Sequence, residues 1–568
     1  MRSTQNRLAG ALLVLAALFS FLFLQHAAGV LSRNIGLFHD ELWDFIPAVG
    51  MIRAESMNPN QEVRIAGYPF PIVSGPYQGA LKTWTLAPLL MAFGTSPRFI
   101  LSLNVLYGMI YLGALYWALI PLIGRRAACL VFAAPFFDTN FLLTAPMDTG
   151  PSIFQYIFIS LAAGSLFRYM ANSQLRYYGW TWLFSGCLLA QKLTAIPIVV
   201  SLIAFAVILA FGRFRAMSAS GKAVQAIRSY LIIPAVLFML PLLPHLAYFF
   251  KTGFGDLRAM TVTDRHPSYF ASLGKNLSFV SGMFDGVDWY RRMTHDTGSA
   301  AAATPPVPAI FGVASAACSL MLGLFAGVNR KFLGYSAVCI GLCGASFLLF
   351  PVFEGLDRPW HFYVLTPLFI CSVAVTTVHC FSVVAARWSG FVVLIRAAAA
   401  IGLAAGVLLG ASHGIGILNR FEARKGVCMT SPAIYEAYRA VEASGVREIH
   451  ALNYSLAYPL YLLAKGSVRV EDLAWTRLTG GKIDELFKKI EADPGAAIVY
   501  RFCGYKEVEG DWIRWLNREP EIFDFIRKLE SEKDRVQVAR CRDERQTEFV
   551  LIRRKGSAPG PAGSGAER

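Results

Sequence analysis

Charge is scarce in this sequence. Only 16% of its 568 residues are Asp, Glu, Lys or Arg, against about 25% in soluble domains. Hydrophobic residues make up 55% and mean hydropathy is +0.47. A surface that poor in charge cannot face water all round, so the chain is read as an integral membrane protein. Paired cysteines are also missing. The ten cysteines are scattered with no C-x-x-C and no metal-ligand spacing, which excludes zinc ribbons and dithiol redox motifs. Seven lie in apolar stretches and serve as small hydrophobes. Cys428, Cys503 and Cys541 lie in the polar C-terminal part, where Cys503 with Cys541 is the disulfide expected if that part faces an oxidising compartment. The formal net charge of +16 comes without a basic helix or an RNA-binding signature, so nucleic acid is excluded as a partner. No internal repeat is evident.

What is abundant is long apolar runs. About eleven can be drawn, near 8–30, 99–123, 127–145, 149–168, 177–191, 193–212, 230–250, 307–328, 332–352, 359–382 and 391–413. The start MRSTQNR and the first run resemble a signal peptide but lack a small-x-small cleavage site, so a retained first helix is expected. Arg2, Arg7, Arg125, Arg126, Arg168, Arg176, Arg213, Arg215, Lys222, Arg228, Arg330, Lys331 and Arg387 all fall on one side if eleven runs cross the bilayer. That side is assigned to the cytoplasm, which expects a multi-pass inner-membrane protein with a cytoplasmic N-terminus. Loops 31–98 and 251–306 then face outward. Within the first, 40–54 and 77–94 are amphipathic enough to lie in the interface, with AGYPFPIVSGP as the turn between them.

From about residue 420 short β-prone runs (448–453, 468–473, 496–502, 536–541, 549–553) alternate with helix-like stretches (431–444, 480–491, 519–532). The organisation expected is a transmembrane domain over 1–419, an extracytoplasmic α/β domain over 420–556 and a disordered SAPGPAGSGAER tail over 557–568.

The polar residues near the outer ends of the runs are the candidates for chemistry. Asp40 and Glu41, in FHDELWD just beyond the first run, are neighbouring acids at the hydrocarbon edge. Repulsion and partial desolvation raise the pKa of such a pair, which suits a base; a solvated pair that orients the helix end is the plainer alternative. Asp138 and Asp148 bracket the turn after the third run. Lys82 lies in the second interfacial stretch, Lys192 in a tight turn, and Arg358, His361 and Tyr363 open the tenth run. Acids and bases at one membrane depth suit an anionic head group and a proton. His361 between two aromatics also fits an interfacial belt, and Arg358 an ion pair with Asp357. His266 and His295 are read as surface histidines.

Four stretches resemble a known family. FHDELWD resembles the acidic first-loop motif of the GT-C superfamily of polyprenyl-phosphate-sugar glycosyltransferases, in its protein O-mannosyltransferase and aminoarabinose lipid A transferase group. APMDTGPSIFQYIF, GCLLAQKLTAIPIVVSL and RPWHFYVLTPLF are similar to later motifs of that group, in the same order. The resemblance implies a polytopic α-helical membrane protein of GT-C type with about 11 transmembrane helices and a small C-terminal extracytoplasmic α/β domain. It implies Asp40, shared with Glu41, as the general base that deprotonates an acceptor hydroxyl during inverting displacement. Lys82, Lys192, Arg358, His361 and Tyr363 are implied as holding the donor phosphate, and Asp148 as supporting the acceptor side or the first loop. Asp138 has no counterpart in the family and is kept as an acceptor-side candidate. The partners implied are a polyprenyl-phosphate-sugar donor and an extracytoplasmic glycan, lipid or protein acceptor. No cofactor is expected to be required and no metal site is expected, since two acids ten residues apart do not make one. The competing functions are a polyprenol-linked glycan flippase, which needs charges near mid-bilayer, and a surface polysaccharide polymerase or ligase.

Overall fold

The computed structural model describes residues 2–37, 42–56, 61–75, 78–148, 153–253, 268–284, 286–294, 330–352, 362–387, 390, 392–426, 430–452, 456–465, 467–473, 480–503, 531, 536–542 and 547–554. Among them, eight helical stretches are long and apolar enough to cross a membrane: Leu13–Asn34, Pro97–Phe137, Ile153–Asn172, Leu193–Ala219, Ala223–Thr252, Gly334–Val352, Tyr363–Val384 and Ala400–Arg424. The helix Leu175–Gln191, with 17 residues, runs beside Ile153–Asn172. The run expected at 307–328 lies outside the described residues.

Two features of the bundle depart from the simplest reading. Gly124, at φ 78°, breaks the helix that begins at Pro97 just ahead of Arg125 and Arg126. Only glycine reaches that conformation without strain. The stretch 127–145 is not one helix. It is interrupted at Asp138, whose carboxylate accepts a hydrogen bond from Phe141 N (2.8 Å) and restarts the chain as the helix Thr139–Met147. A side-chain acceptor at an N-cap satisfies one of the orphan amides of a new helix.

The segment between the first two spans has more structure than a turn. It holds the helix Phe45–Arg53, then β1 (Glu62–Ile65) paired with β2 (Tyr68–Pro71), β3 (Val73–Gly75) paired with β4 (Gln78–Gly79), and the helix Leu81–Phe93. Both helices fall within the stretches 40–54 and 77–94, although the second is apolar all round rather than amphipathic. The Pro/Gly-rich middle, expected as one turn, forms strands instead. Ala66 (φ 50°) and Gly67 (φ 87°) make a two-residue hairpin turn, and the prolines of β2 are tolerated because a two-stranded ribbon has only edges.

Beyond the last span, β5 (Glu448–Ala451), β6 (Arg469–Asp472), β7 (Ala496–Cys503), β8 (Val536–Arg542) and β9 (Thr547–Arg554) form one sheet of order β6-β5-β7-β9-β8. The first three strands are parallel and the last two antiparallel. Alternation along β7 sends Ala497 and Val499 to the face covered by helices Ala433–Ser444 and Ala457–Ala464, and Ile498 and Tyr500 to the face covered by Gly480–Ala492. The helix expected at 519–532 lies almost wholly outside the described residues. The Cys503–Cys541 disulfide does not form, and Cys541 is a free thiol. Strand β9 lies between their strands, pairing Cys503 with Thr547 and Cys541 with Phe549. Two strand spacings, about 10 Å, exceed the roughly 7 Å that a disulfide spans between Cα atoms.

Candidate active site

The ionisable groups that the fold buries together come from the segment between the first two spans and from the helix ends it covers. Lys82, in the first turn of the helix Leu81–Phe93, is 0% exposed. Its ammonium is ion-paired with Asp148 and donates to Asn104 Oδ1 at 3.2 Å. The rings of Phe45 and Tyr107 lie 5.1 and 5.9 Å from it. Burial works against the ammonium, yet Asp148 and Asp44 outweigh it and hold the pKa above the ordinary lysine value. Lys82 is therefore a fixed positive charge.

Asp148 ends the helix Thr139–Met147 in the left-handed region (φ 51°). One carboxylate oxygen accepts from Ile153 N at 2.5 Å, at the start of the next span. An acid at a helix C-terminus meets an unfavourable dipole; here Lys82 and the following helix's N-terminus offset it. Asn104 adds a second tie, donating from Nδ2 to Pro146 O at 2.9 Å.

Asp44, the N-cap position of the helix Phe45–Arg53, is the third member. It accepts from Gln78 Nε2 (2.8 Å) and from Thr83 Oγ1 (3.3 Å). Burial is the main influence on its carboxyl and pushes the pKa up, Lys82 opposes and Asp148 reinforces, and the result is about 6. Raised in the fold, this acid retains a proton that the unfolded chain would already have released. Its contribution to stability is present in full below about pH 4 and is lost as pH rises through about 6, amounting to about 3 kcal/mol. Asp44→Asn is expected to flatten the fall in thermal midpoint between pH 4 and 7, measured on detergent-purified protein. An identical pH profile for variant and parent would contradict this.

Lys192 reaches the same place through the backbone. It sits between the helices Leu175–Gln191 and Ile196–Ala219 in an extended conformation and forms a β-bridge with Gln78. Next to it β4 is pressed against the bundle, so that a side chain at Gly79 would collide with the carbonyl oxygen of Ala190 and with His245. His245 Nε2 and both polar atoms of the Gln191 amide are buried without a hydrogen-bond partner.

Of the residues singled out in the sequence, Lys82 and Asp148 are in direct contact and Lys192 is joined to them through Gln78 and Asp44. Tyr363 is buried, and its carbonyl oxygen accepts from Tyr156 and Thr366. Asp138 is likewise buried and acts as the helix cap described above. Asp40, Glu41, Arg358 and His361 lie outside the described residues. Asp44, Gln78, Thr83 and Asn104 were not anticipated. The signal for Asp44 was available, since it is the third acid of FHDELWD.

Among the described residues one group has metal-ligand composition, Glu448, His450 and Glu471 on β5 and β6. The Lys489 ammonium lies 3.2 Å from Glu448 and 3.4 Å from Glu471, and His450 Nδ1 is 2.7 Å from Glu471. A lysine thus fills the place of a cation.

No protein-family model and no curated protein matches the chain. Solved structures do. ArnT from Cupriavidus metallidurans bound to undecaprenyl phosphate is similar over 98% of this chain and 99% of its own, at 12% identity and a TM-score of 0.50. The apo state of the same protein matches over 95% and 98%, at 13% identity and a TM-score of 0.50. The chain has the fold of ArnT.

Proposed function

We propose that this protein is a membrane glycosyltransferase that moves one sugar, with inversion, from a polyprenyl-phosphate carrier to an acceptor at the outer face of the bacterial inner membrane. The observation that carries this reading is the buried Asp44–Lys82–Asp148 cluster, whose Asp44 is the last residue of FHDELWD. It is supported by a fold shared with a protein solved with undecaprenyl phosphate.

In the reaction, Asp40, shared with Glu41, takes the proton of the acceptor hydroxyl as its oxygen attacks the anomeric carbon. The carbon–oxygen bond to the phosphate breaks and its electron pair leaves with the lipid phosphate. Lys192 and Arg358 neutralise the charge that builds there, and His361 and Tyr363 donate hydrogen bonds to it. Lys82 contributes a positive potential, most of it already offset by Asp148. Asp148 and Asn104 keep the helix ends in place, and Asp138 caps its own helix.

The decisive experiment incubates purified protein with a panel of polyprenyl-phosphate sugars. One donor is expected to lose its sugar and yield free polyprenyl phosphate. Failure with every donor, or lipid movement without bond cleavage, would overturn the reading. Lys192→Ala is expected to raise the donor KM about tenfold, the worth of one charge-assisted contact, with kcat within about threefold; an unchanged KM would remove Lys192 from the donor site. A single-phosphate donor needs cationic side chains more than a divalent ion, so activity is expected to persist in excess chelator. Complete loss restored by Mg²⁺ or Mn²⁺ would refute that.

A further inference from the structure

The sheet-bearing C-terminal part grips the FHDELWD segment on both flanks. On the near flank, Gly36 N donates to Thr430 O and Gly426 N donates to Asn34 O, both at 2.7 Å. Tyr435 OH adds a bond to Ile35 O at 3.4 Å. The chains are so close at Gly36 that any side chain there would run into the carbonyl oxygen of Ser431.

On the far flank, Tyr461 OH donates to Glu55 Oε2 at 2.6 Å, and the Arg53 guanidinium lies 5.2 Å from the Tyr461 ring centroid. Glu55 follows directly on Ala54, which ends the helix Phe45–Arg53 in the left-handed region. Tyr461 and Leu462 are buried in the same apolar core as Phe45, Ile46, Ala48 and Val49. The helix Ala457–Ala464 therefore belongs to two cores at once, since Leu456, Ala457, Leu460 and Ala464 pack beneath the sheet. An element shared in this way passes the rigidity of the sheet to the helix it touches.

We propose that the C-terminal α/β part is a clamp for the helix Phe45–Arg53, with Tyr461 as its positioning residue, so that Asp44 stays in register with Gln78 and Thr83. Its task is to hold the floor of the site still from outside the bundle. The kinetic arm of the test rests on the glycosyl-transfer reading; the exchange arm does not.

The test uses the full-length protein in nanodiscs. Tyr461→Phe removes one hydrogen bond to a carboxylate and keeps the ring. Amide exchange in peptides covering 42–56 is expected to quicken about tenfold, with no change in the helix Leu175–Gln191. Turnover at saturating donor is expected to fall about tenfold while donor KM moves less than twofold, because the ground-state lipid contacts lie elsewhere. Glu55→Gln with Tyr461 intact keeps an acceptor for the tyrosine and is expected to retain most of both properties. Tyr461→Ala, which also removes the ring under Arg53, should exceed Tyr461→Phe in both; if it does not fold, the Phe and Gln variants decide alone. Unchanged exchange over 42–56 in Tyr461→Phe, or faster exchange spread equally over the bundle, would overturn the clamp. If the parent protein transfers no sugar, the functional reading fails while the exchange result still decides the clamp.

Discussion

Lys82→Met is expected to lower stability by about 3–5 kcal/mol, the usual cost of removing one partner of a buried ion pair, and to abolish transfer. The ammonium it removes is the counter-charge of Asp148 and a positive charge that acts on Asp44. Methionine fills most of the volume, so the loss is electrostatic rather than a cavity. Both carboxylates would then have to take protons, give up their partners or admit water. Asp148 also anchors the start of the span Ile153–Asn172, so the disturbance would extend past the lysine itself. Thermal unfolding of detergent-purified protein checks the first part and the donor panel the second. Adding Asp148→Leu to Lys82→Met replaces the pair by apolar side chains, an exchange that is often neutral for stability. The double variant is expected to regain much of the thermal midpoint without regaining activity. An unaltered midpoint in the single variant would show that the pair contributes nothing to the fold.

Asp40→Asn is expected to reduce turnover by about 10²–10⁴, the range for loss of a general base, in a protein that remains folded and still binds the lipid donor. Asparagine copies the shape of the carboxylate and cannot accept the proton. Single-turnover transfer measures the first effect and donor-induced thermal stabilisation the second. Turnover within about twofold of the parent would remove Asp40 from the mechanism. The parallel Asp44→Asn variant separates the two acids: it acts through the pH dependence of stability, since Asp44 is already engaged by Gln78 and Thr83. Were Asp44→Asn the inactive variant and Asp40→Asn the active one, the base would be reassigned to Asp44.

Much of the architecture is legible in the sequence. Charge scarcity and long apolar runs marked a polytopic membrane protein, and each expected strand of the C-terminal sheet lies within two residues of its place. Of the two helices between the first two spans, Phe45–Arg53 was visible by an apolar face repeating at helical spacing and Leu81–Phe93 as an apolar stretch of helical length. The strands between them were hidden because proline argues against a strand unless that strand is an edge. The helix Ala457–Ala464 was also missed: eight residues, mostly apolar and without a capping side chain, carry no helical stripe.

The chain's own order of residues settled what kind of solvent the protein lives in and which short motifs it carries, because burial in lipid and motif spacing are local properties. Only the folded arrangement decided the partners. Lys82 meets Asp148 across 66 positions and Asp44 meets Gln78 across 34. Cys503 and Cys541 are kept apart by a strand that follows both in the chain. The rotation of each helix about its axis, the depth at which it sits and the order of strands in a sheet are set by packing between distant segments, and no single stretch of sequence contains that information.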